Sequence, residues 1–310
     1  MKMKEKFEFT KDERGIGTLT FDTPESSANV FTQSALEEFE THLDALLKDS
    51  ELKALFIESA KENIFIAGAD INEINAANDE KSITALVRKG QDIFTKLENL
   101  PFPTIAVIDG ACLGGGLEMS LSCSYRIATS HPHTRIGLPE VNLGILPGFG
   151  GTQRLYPLVG YAKAMELIVG AKRLKGEKAL KLGVVDACVP RGYLGFKKEE
   201  FIQEILAGSL AEKLGANRKG IAWYEKIPPV RDLICKVANK KVLAKTHGHY
   251  PAPLAVIKVM QESFGKPLLE GLKIERDAVT KLARCQFFDH TAMPVGAEPQ
   301  PAIFFWNDHP

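Results

Sequence analysis

The sequence predicts an α/β fold with a trailing all-helical C-terminal region, on three observations. Short apolar runs alternate with helical patterns up to about residue 195. From about Lys197 to Arg284 only helical patterns remain. Between these runs, an apolar stretch passes straight into three consecutive glycines and then a helix.

Each element has its own warrant. "KFEFT" and "GIGTLTFD", separated by the polar "KDERG", read as a hairpin. "SALEEFETHLDALLKD" places Ser34 three residues before Glu37, a capping-box pattern, and spaces Leu36, Phe39, Leu43, Leu46 and Leu47 as one helical face. "LKALFIES" reads as a buried strand. Residues 79–100 set Ile83, Leu86, Val87, Phe94 and Leu97 on a second helical face. "TIAVIDG" is a buried strand, followed by a helix from about Leu117 and the strand "YRIATS"; the alternation continues to "LGVVDACVP". The later helical patterns are broken by "KIPPV" and "GHYPAPL", and "MPVGAEPQPAIFFWNDHP" is proline-rich and then aromatic, like a linker. The expected organisation is an α/β domain over 1–195, a helical region over 196–290 and a linker-like tail over 291–310.

Composition narrows the function classes. The chain has 310 residues with 39 Lys+Arg against 39 Asp+Glu, so the formal net charge is zero. That argues against a nucleic-acid protein, which carries a basic excess. The five cysteines are scattered without CxxC spacing, which predicts neither a zinc site nor a disulfide framework and fits a reducing cytoplasm. Cys112, Cys123 and Cys188 sit among apolar residues as small core fillers. The start, "MKMKEKFEFTKDERG", has no apolar run behind its charges, which predicts no signal peptide, and no stretch approaches a membrane span.

"GACLGGGLEMSLSC", Gly110 to Cys123, carries the first chemical signal. The dinucleotide fingerprint G-x-G-x-x-G fails here, as it does at "GFGGTQ", and a phosphate-binding loop would need lysine where Gly116 stands. What remains is backbone chemistry. A strand that opens a helix through glycines leaves N–H groups without intrahelical partners at the positive end of the helix dipole, a place that stabilises a negative oxygen. Tight helix–sheet packing is the competing reading of the same glycines. Glu118 then stands in the first helical turn, where a carboxylate is also common as a dipole partner.

A second carboxylate, Glu140, follows a proline among apolar residues in "IGLPEVNLGILPGFGGTQRL". Apolar surroundings raise a carboxyl pKa, and two such groups facing one cavity can divide acid and base duties. A salt bridge from Glu140 to Arg135 or Arg154 is the alternative that spacing leaves open. A third segment, "IFIAGADINEI", ends an apolar run in small residues where Ala69 offers another N–H; Asp70 as a helix cap is the competing reading.

Together "NIFIAGADINEI", "LPFPTIAVIDGACLGGGLEMSLSCSYRIA", "IGLPEVNLGILPGFGGTQRLYPLVG" and "KALKLGVVDACVP" resemble the crotonase (enoyl-CoA hydratase/isomerase) superfamily over roughly residues 8–195. "GHYPAPLAVIKVM" and "PLLEGLKIERDAV" resemble a narrower group, the N-terminal hydratase/isomerase half of the multifunctional fatty-acid-oxidation protein alpha subunit. The resemblance implies a crotonase-like spiral of ββα turns with trailing helices. It implies an oxyanion hole on the N–H groups of Ala69 and Gly115 and catalytic roles for Glu118 and Glu140. It places coenzyme A, as part of the thioester substrate, near Ser27, Ala28, Val30, Ala67, Gly68, Asp70 and Ile71, with Gly114 and Pro139 beside the glutamates and Asp308 as a further substrate-binding residue. The implied activity is hydration of trans-2-enoyl-CoA in β-oxidation, a lyase reaction. The alternatives are 3-enoyl to 2-enoyl isomerisation and non-catalytic acyl-CoA binding. No metal or redox cofactor is implied. The partners implied are an acyl-CoA thioester, further copies of the chain, and a dehydrogenase half or thiolase subunit. Since the chain stops at Pro310 without a dinucleotide motif, a shortened version of the longer protein or a natural half is expected.

The remaining conspicuous residues read as ordinary. His131 and His133 read as solvent-exposed loop residues, Lys240, Lys241 and Lys245 as a solvated basic face, and Trp223 and Tyr224 as packing residues.

Overall fold

In a computed structural model of the chain, residues 5–70, 73, 79–215 and 220–287 are described. Two sheets share the strands. The larger is ordered β1 (Phe7–Lys11), β2 (Ile16–Phe21), β3 (Ala54–Ser59), β5 (Thr104–Ile108), β7 (Tyr125–Thr129) and β10 (Ala187–Val189). The smaller is ordered β4 (Ile64–Ile66), β6 (Ala111–Leu113), β8 (Arg135–Gly137) and β9 (Arg173–Leu174). Among the described residues, only the β1–β2 hairpin and the β8–β9 pair are antiparallel. The chain places one strand in the large sheet, the next in the small sheet, and then forms a helix. β5, β6 and α3 (Gly115–Ser122) make one such turn, following α1 (Gln33–Leu46) and α2 (Glu80–Glu98). This is the ββα spiral that the resemblance implies.

Strand alternation explains why the large sheet is covered on both faces. In β3, Leu55 and Ile57 enter the principal core, while Ala54 and Phe56 face a second cluster. Phe201 and Ile202 of α8 (Leu194–Leu206) and Leu210 and Leu214 of α9 (Leu210–Gly215) close that second face. Between β8 and α8 lie the short helices α4 (Gly151–Arg154) and α5 (Tyr156–Val159), then α6 (Tyr161–Val169) and α7 (Gly176–Leu182).

The trailing helices are α10 (Pro228–Thr246), α11 (Pro251–Ser263) and α12 (Leu268–Phe287). Their Cys235, Val242, Val256, Met260, Val279 and Leu282 belong to the same apolar cluster as the strands. Buried Glu225 fastens this region to the body by accepting bonds from the N–H groups of Tyr161 and Ala162, at the start of α6. No helix among the described residues is long and apolar enough to cross a membrane.

Several sequence expectations change. The prolines of "KIPPV" and "GHYPAPL" do not merely interrupt helices: Pro228 opens α10 and Pro251 opens α11, where a missing N–H costs nothing. The capping box is displaced, because α1 begins at Gln33 and Thr32 Oγ1 accepts from the Ala35 N–H 3.1 Å away. Glu37 instead meets Lys89 of α2 at 2.6 Å. Trp223 and Tyr224 are 76% and 48% exposed, so they are not packing residues; a short 3-10 turn at the surface carries both. Lys240, Lys241 and Lys245 are solvated as expected, whereas His131 is half-buried and stacks on exposed His133. Asp308 and the linker-like 291–310 lie outside the described residues.

Helix α3 is buried all round, so its seat is fixed by close contact rather than by amphipathicity. A Cβ on Gly116 would stand 2.4 Å from the Ile66 carbonyl oxygen of β4. Gly195, in α8, has nothing within 4 Å of the same position. Gly116→Ala should therefore cost about 1–3 kcal/mol of stability by overpacking. Gly195→Ala should be neutral or stabilise by less than about 1 kcal/mol, since it only removes glycine's flexibility from a helix. Urea midpoints of the two variants test this, and equal midpoints would refute the close seat of α3.

Candidate active site

Gly114 makes the site's first turn. Its φ of 53° and ψ of −126° suit glycine, and they let β6 pass into α3 without an intervening loop. Its N–H donates to the Gly137 carbonyl of β8 at 3.0 Å, and Gly115 opens the helix. The first amides of a helix lack intrahelical acceptors. At the other end of α3, the buried Arg126 guanidinium donates to the carbonyls of Ser120 and Cys123 and pairs with Asp186 at 3.1 Å. A cation there complements the helix dipole.

The segment around Ala69 arrives from β4. The Asn29 carbonyl accepts from the Ala67 N–H, the Gly68 carbonyl from the Phe31 N–H, and the Phe31 carbonyl from the Asp70 N–H, at 2.8, 2.9 and 3.0 Å. This short parallel ladder brings the two stretches expected at the coenzyme A end side by side. Ser27 is exposed, Ala28, Val30, Ala67 and Asp70 are half-buried, and Gly68 is buried. Ile71 lies outside the described residues. A Cβ on Gly115 would meet the Ala69 nitrogen at 3.3 Å, so the two backbones nearly touch. Neither the Ala69 nor the Gly115 N–H donates to an acceptor among the described residues. Beside Ala69, Phe31, Leu36, Leu86, Val87 and Phe149 line a largely apolar cavity, with Asp70 and Glu73 at its polar side.

Glu118 is 2% exposed and points away from its own helix. Its Oε1 accepts two backbone bonds, from Phe149 and Gly151, each 2.8 Å long. Burial, then the negative charges of Glu140 and Glu275, push its carboxyl well above the usual range, and the two amides oppose that rise. Glu140 follows Pro139 at the start of a 3-10 turn, Glu140–Leu143, that ends in left-handed Gly144. A Cβ on Gly114 would stand 3.0 Å from Glu140 Oε1, which places this carboxyl against the turn that opens α3. Its Oε2 is buried with no hydrogen-bond partner among the described residues. Burial pushes Glu140 up to about 8; its own N–H opposes the rise and the Glu275 charge adds to it.

The salt-bridge reading of Glu140 finds no support. Arg154 pairs with Glu98 at 3.0 Å, and Arg135 donates to the carbonyls of Pro132 and Thr134. The sequence reading missed Glu275 of α12, which is wholly buried and pushed up to about 7 mainly by that burial. A signal for it existed: Glu275 shares a helical face with Leu272, Val279 and Leu282, all buried, so an acid occupies a core position.

Burial makes folding depend on pH in a defined direction. Between 4.5 and about 8 an unfolded chain releases the Glu140 proton while the native state keeps it. The native state then binds more protons, and stability falls as pH rises. The difference in unfolding free energy between the parent and Glu140→Gln should change by up to about 1.4 kcal/mol per pH unit across that window. Urea unfolding of both proteins at stepped pH measures it, and a difference that stays flat would show that Glu140 is not held neutral.

Comparison with known proteins places the chain in a family. Residues 11–214 match the family described as enoyl-CoA hydratase/isomerase. The fatty acid oxidation complex subunit alpha of Vibrio parahaemolyticus is 37% identical over 97% of this chain and 44% of its own length. The protein of the same description from Aliivibrio fischeri is 38% identical with the same coverage. The chain thus spans about 44% of the length of these curated relatives. Among solved structures, an enoyl-CoA hydratase from Bacillus anthracis superposes with a TM-score of 0.61 at 26% identity, covering 88% of this chain and 89% of its own. Human mitochondrial delta3-delta2-enoyl-CoA isomerase shares the fold, with a TM-score of 0.62 at 20% identity and coverage of 90% and 96%. With two glutamates buried beside two unengaged amides on a ββα spiral, and with the match running through all four, the chain belongs to the enoyl-CoA hydratase/isomerase family.

Proposed function

We propose that the chain hydrates trans-2-enoyl-CoA thioesters to 3-hydroxyacyl-CoA in fatty acid oxidation. The observation that carries this is the division between the two glutamates. Burial raises both carboxyls, but Glu118 Oε1 holds two amide donors that oppose the rise and favour its ionised form, whereas Glu140 leaves an oxygen without a partner among the described residues, which favours a protonated acid.

In this mechanism the thioester carbonyl oxygen accepts bonds from the Ala69 and Gly115 N–H groups. Glu118 takes a proton from water as its oxygen bonds to the β-carbon. The displaced electron pair moves through the α-carbon onto the carbonyl oxygen, where each amide is worth on the order of 3 kcal/mol. The pair returns to form the α-carbon–hydrogen bond with the Glu140 proton, and transfer of a proton from Glu118 to Glu140 resets the site. The apolar side chains beside Ala69 offer an acyl chain a surface to pack on, and the paired 29–31 and 67–70 segments suit the coenzyme A end. The reaction draws on no cofactor beyond coenzyme A within the substrate.

Isomerisation of 3-enoyl to 2-enoyl thioesters is the second reading. It needs the same amides and one carboxylate as proton shuttle, and the matched family description covers both reactions. The presence of both glutamates, Glu140 against Gly114 and Glu118 against Gly151, weighs against a purely binding role. The relatives' description as a subunit of a complex supports assembly with other subunits; further copies, a dehydrogenase half and a thiolase subunit are the partners proposed on the resemblance.

The test is turnover of crotonyl-CoA, followed by loss of the conjugated thioester absorbance. Glu118→Gln and Glu140→Gln should each lower kcat by roughly 10²–10⁴-fold with the circular dichroism spectrum retained. Parent-like turnover in both variants would remove the acid–base assignment. A 3-enoyl-CoA converted to the conjugated product would add the isomerase activity.

A further inference from the structure

The loop from Phe149 to Thr152 uses four consecutive amides in strict alternation. Phe149 and Gly151 donate to Glu118 Oε1, each at 2.8 Å. Gly150 donates to Glu275 Oε1 at 2.7 Å and Thr152 to Glu275 Oε2 at 3.1 Å. The Thr152 hydroxyl also donates to Glu275 Oε2, and Gln91 Nε2 reaches Glu275 Oε1 at 3.3 Å. Both carboxylates are buried, and they come from distant parts of the chain, α3 and α12. We propose that Glu275 is a positioning residue for Glu118: it grips the alternate amides of the loop and so aims the other two at the Glu118 carboxylate. This rests on the acid–base reading of Glu118 given above.

The surroundings of Glu275 make a purely structural peg a poor description. A peg alone could be apolar, because burying a carboxylate costs free energy unless its bonds and charge are used. Facing Glu275 are Glu118 of α3, Glu140 of the 3-10 turn and Arg154 of α4. Arg154 is itself committed to Glu98 of α2 and to the Phe149 carbonyl. On its own helix, Arg276 reaches it only through Gln91 of α2, donating to Gln91 Oε1 at 2.8 Å. Helix α11, packed on α12, turns its Lys258–Glu262 pair to solvent. Glu275 is therefore a third acid in the cluster, and its charge raises both Glu118 and Glu140.

The sign follows. Glu275→Gln removes a neighbouring negative charge, so Glu118 and Glu140 both ionise at lower pH. Both limbs of the kcat/KM profile for crotonyl-CoA should move down by about one pH unit. Glu275→Asp keeps the charge and should hold the limbs nearer the parent's while lowering kcat through the shortened reach. Thr152→Val removes a donor that lowers Glu275; Glu275 then stays neutral to higher pH, and the limbs shift in the same direction by less. That variant serves where Glu275→Gln fails to fold.

A second readout needs no turnover. The protonated-carboxyl infrared band of Glu118, assigned by subtracting the spectrum of Glu118→Gln, should titrate at lower pH in Glu275→Gln or Thr152→Val than in the parent. Limbs and band at the parent's pH in a folded variant, with only stability lost, would overturn the proposal. A parent that leaves crotonyl-CoA untouched would instead overturn the hydratase reading, and the infrared shift would still decide the role of Glu275.

Discussion

Carboxylates taken out of water must find donors, and in this protein nearly every unusual feature near the site answers that demand. Glu118, Glu140 and Glu275 are all buried, each at a position where an apolar residue would fold more cheaply. Glu118 and Glu275 are satisfied by backbone amides that regular secondary structure would otherwise consume, so the chain has to leave those amides free. It does so with "GFGG": Gly150 sits at a φ of 107° and Gly151 opens a helix of only four residues, Gly151–Arg154. A Cβ on Gly151 would stand 3.0 Å from Glu118 Oε1, so a side chain there would crowd the carboxylate it serves. These glycines are required by the donors they present, and tight packing is only part of their work.

The loop is then held from behind. The Gly148 carbonyl accepts from Gln91, and the Phe149 carbonyl accepts from Arg154, at 2.9 Å each. Arg154 reaches Glu98 and the Thr95 hydroxyl on α2, so one helix anchors both sides of the loop. The opposite wall depends on α3, whose direction is set by Gly114 at one end and by Arg126 with Asp186 at the other. Removing either member of that buried pair would leave an uncompensated charge, a loss of about 3–5 kcal/mol in comparable cases. The two walls meet where Gly115 approaches Ala69, and that meeting decides whether two amides can address one oxygen.

Much of this was legible in the sequence because the site is built on local signals. A glycine run between an apolar strand and a helix can be read without coordinates, and so can an acid one turn later. Glu118, Glu140, Ala69 and Gly115 were singled out for that reason, and the fold places their segments against one another. The strands followed from apolar runs such as "LKALFIES", and the trailing helices from their periodicity. What stayed illegible was long-range. Helical spacing puts Glu275 of "KIERDAV" on the apolar face, but nothing in that stretch names the loop it meets, 125 residues away in sequence, the separation of Gly150 and Glu275. Thr32 displaced Ser34 as the cap of α1 for a related reason: Gln33 N–H finds Glu73 at 2.6 Å, a contact that spacing within the helix cannot reveal. Trp223 and Tyr224 misled because aromatic side chains usually pack, whereas here a surface turn presents them.

The trailing helices deserve a different description from the one their sequence suggests. Composition marks them as an appendage after an α/β body, yet they touch both acid-bearing segments. Glu275 of α12 holds the loop that serves Glu118, and the Tyr250 hydroxyl, at the start of α11, donates to the Asn142 carbonyl within the Glu140 turn at 2.9 Å. Helices α11 and α12 also share the apolar core with the strands, so they cannot shift without disturbing that packing. A displacement at their far surface would therefore reach two buried carboxyls by two separate hydrogen bonds. The cluster of buried carboxyls is closed by the last described helix of the chain, and its protonation state is a property of the whole fold rather than of the ββα spiral alone.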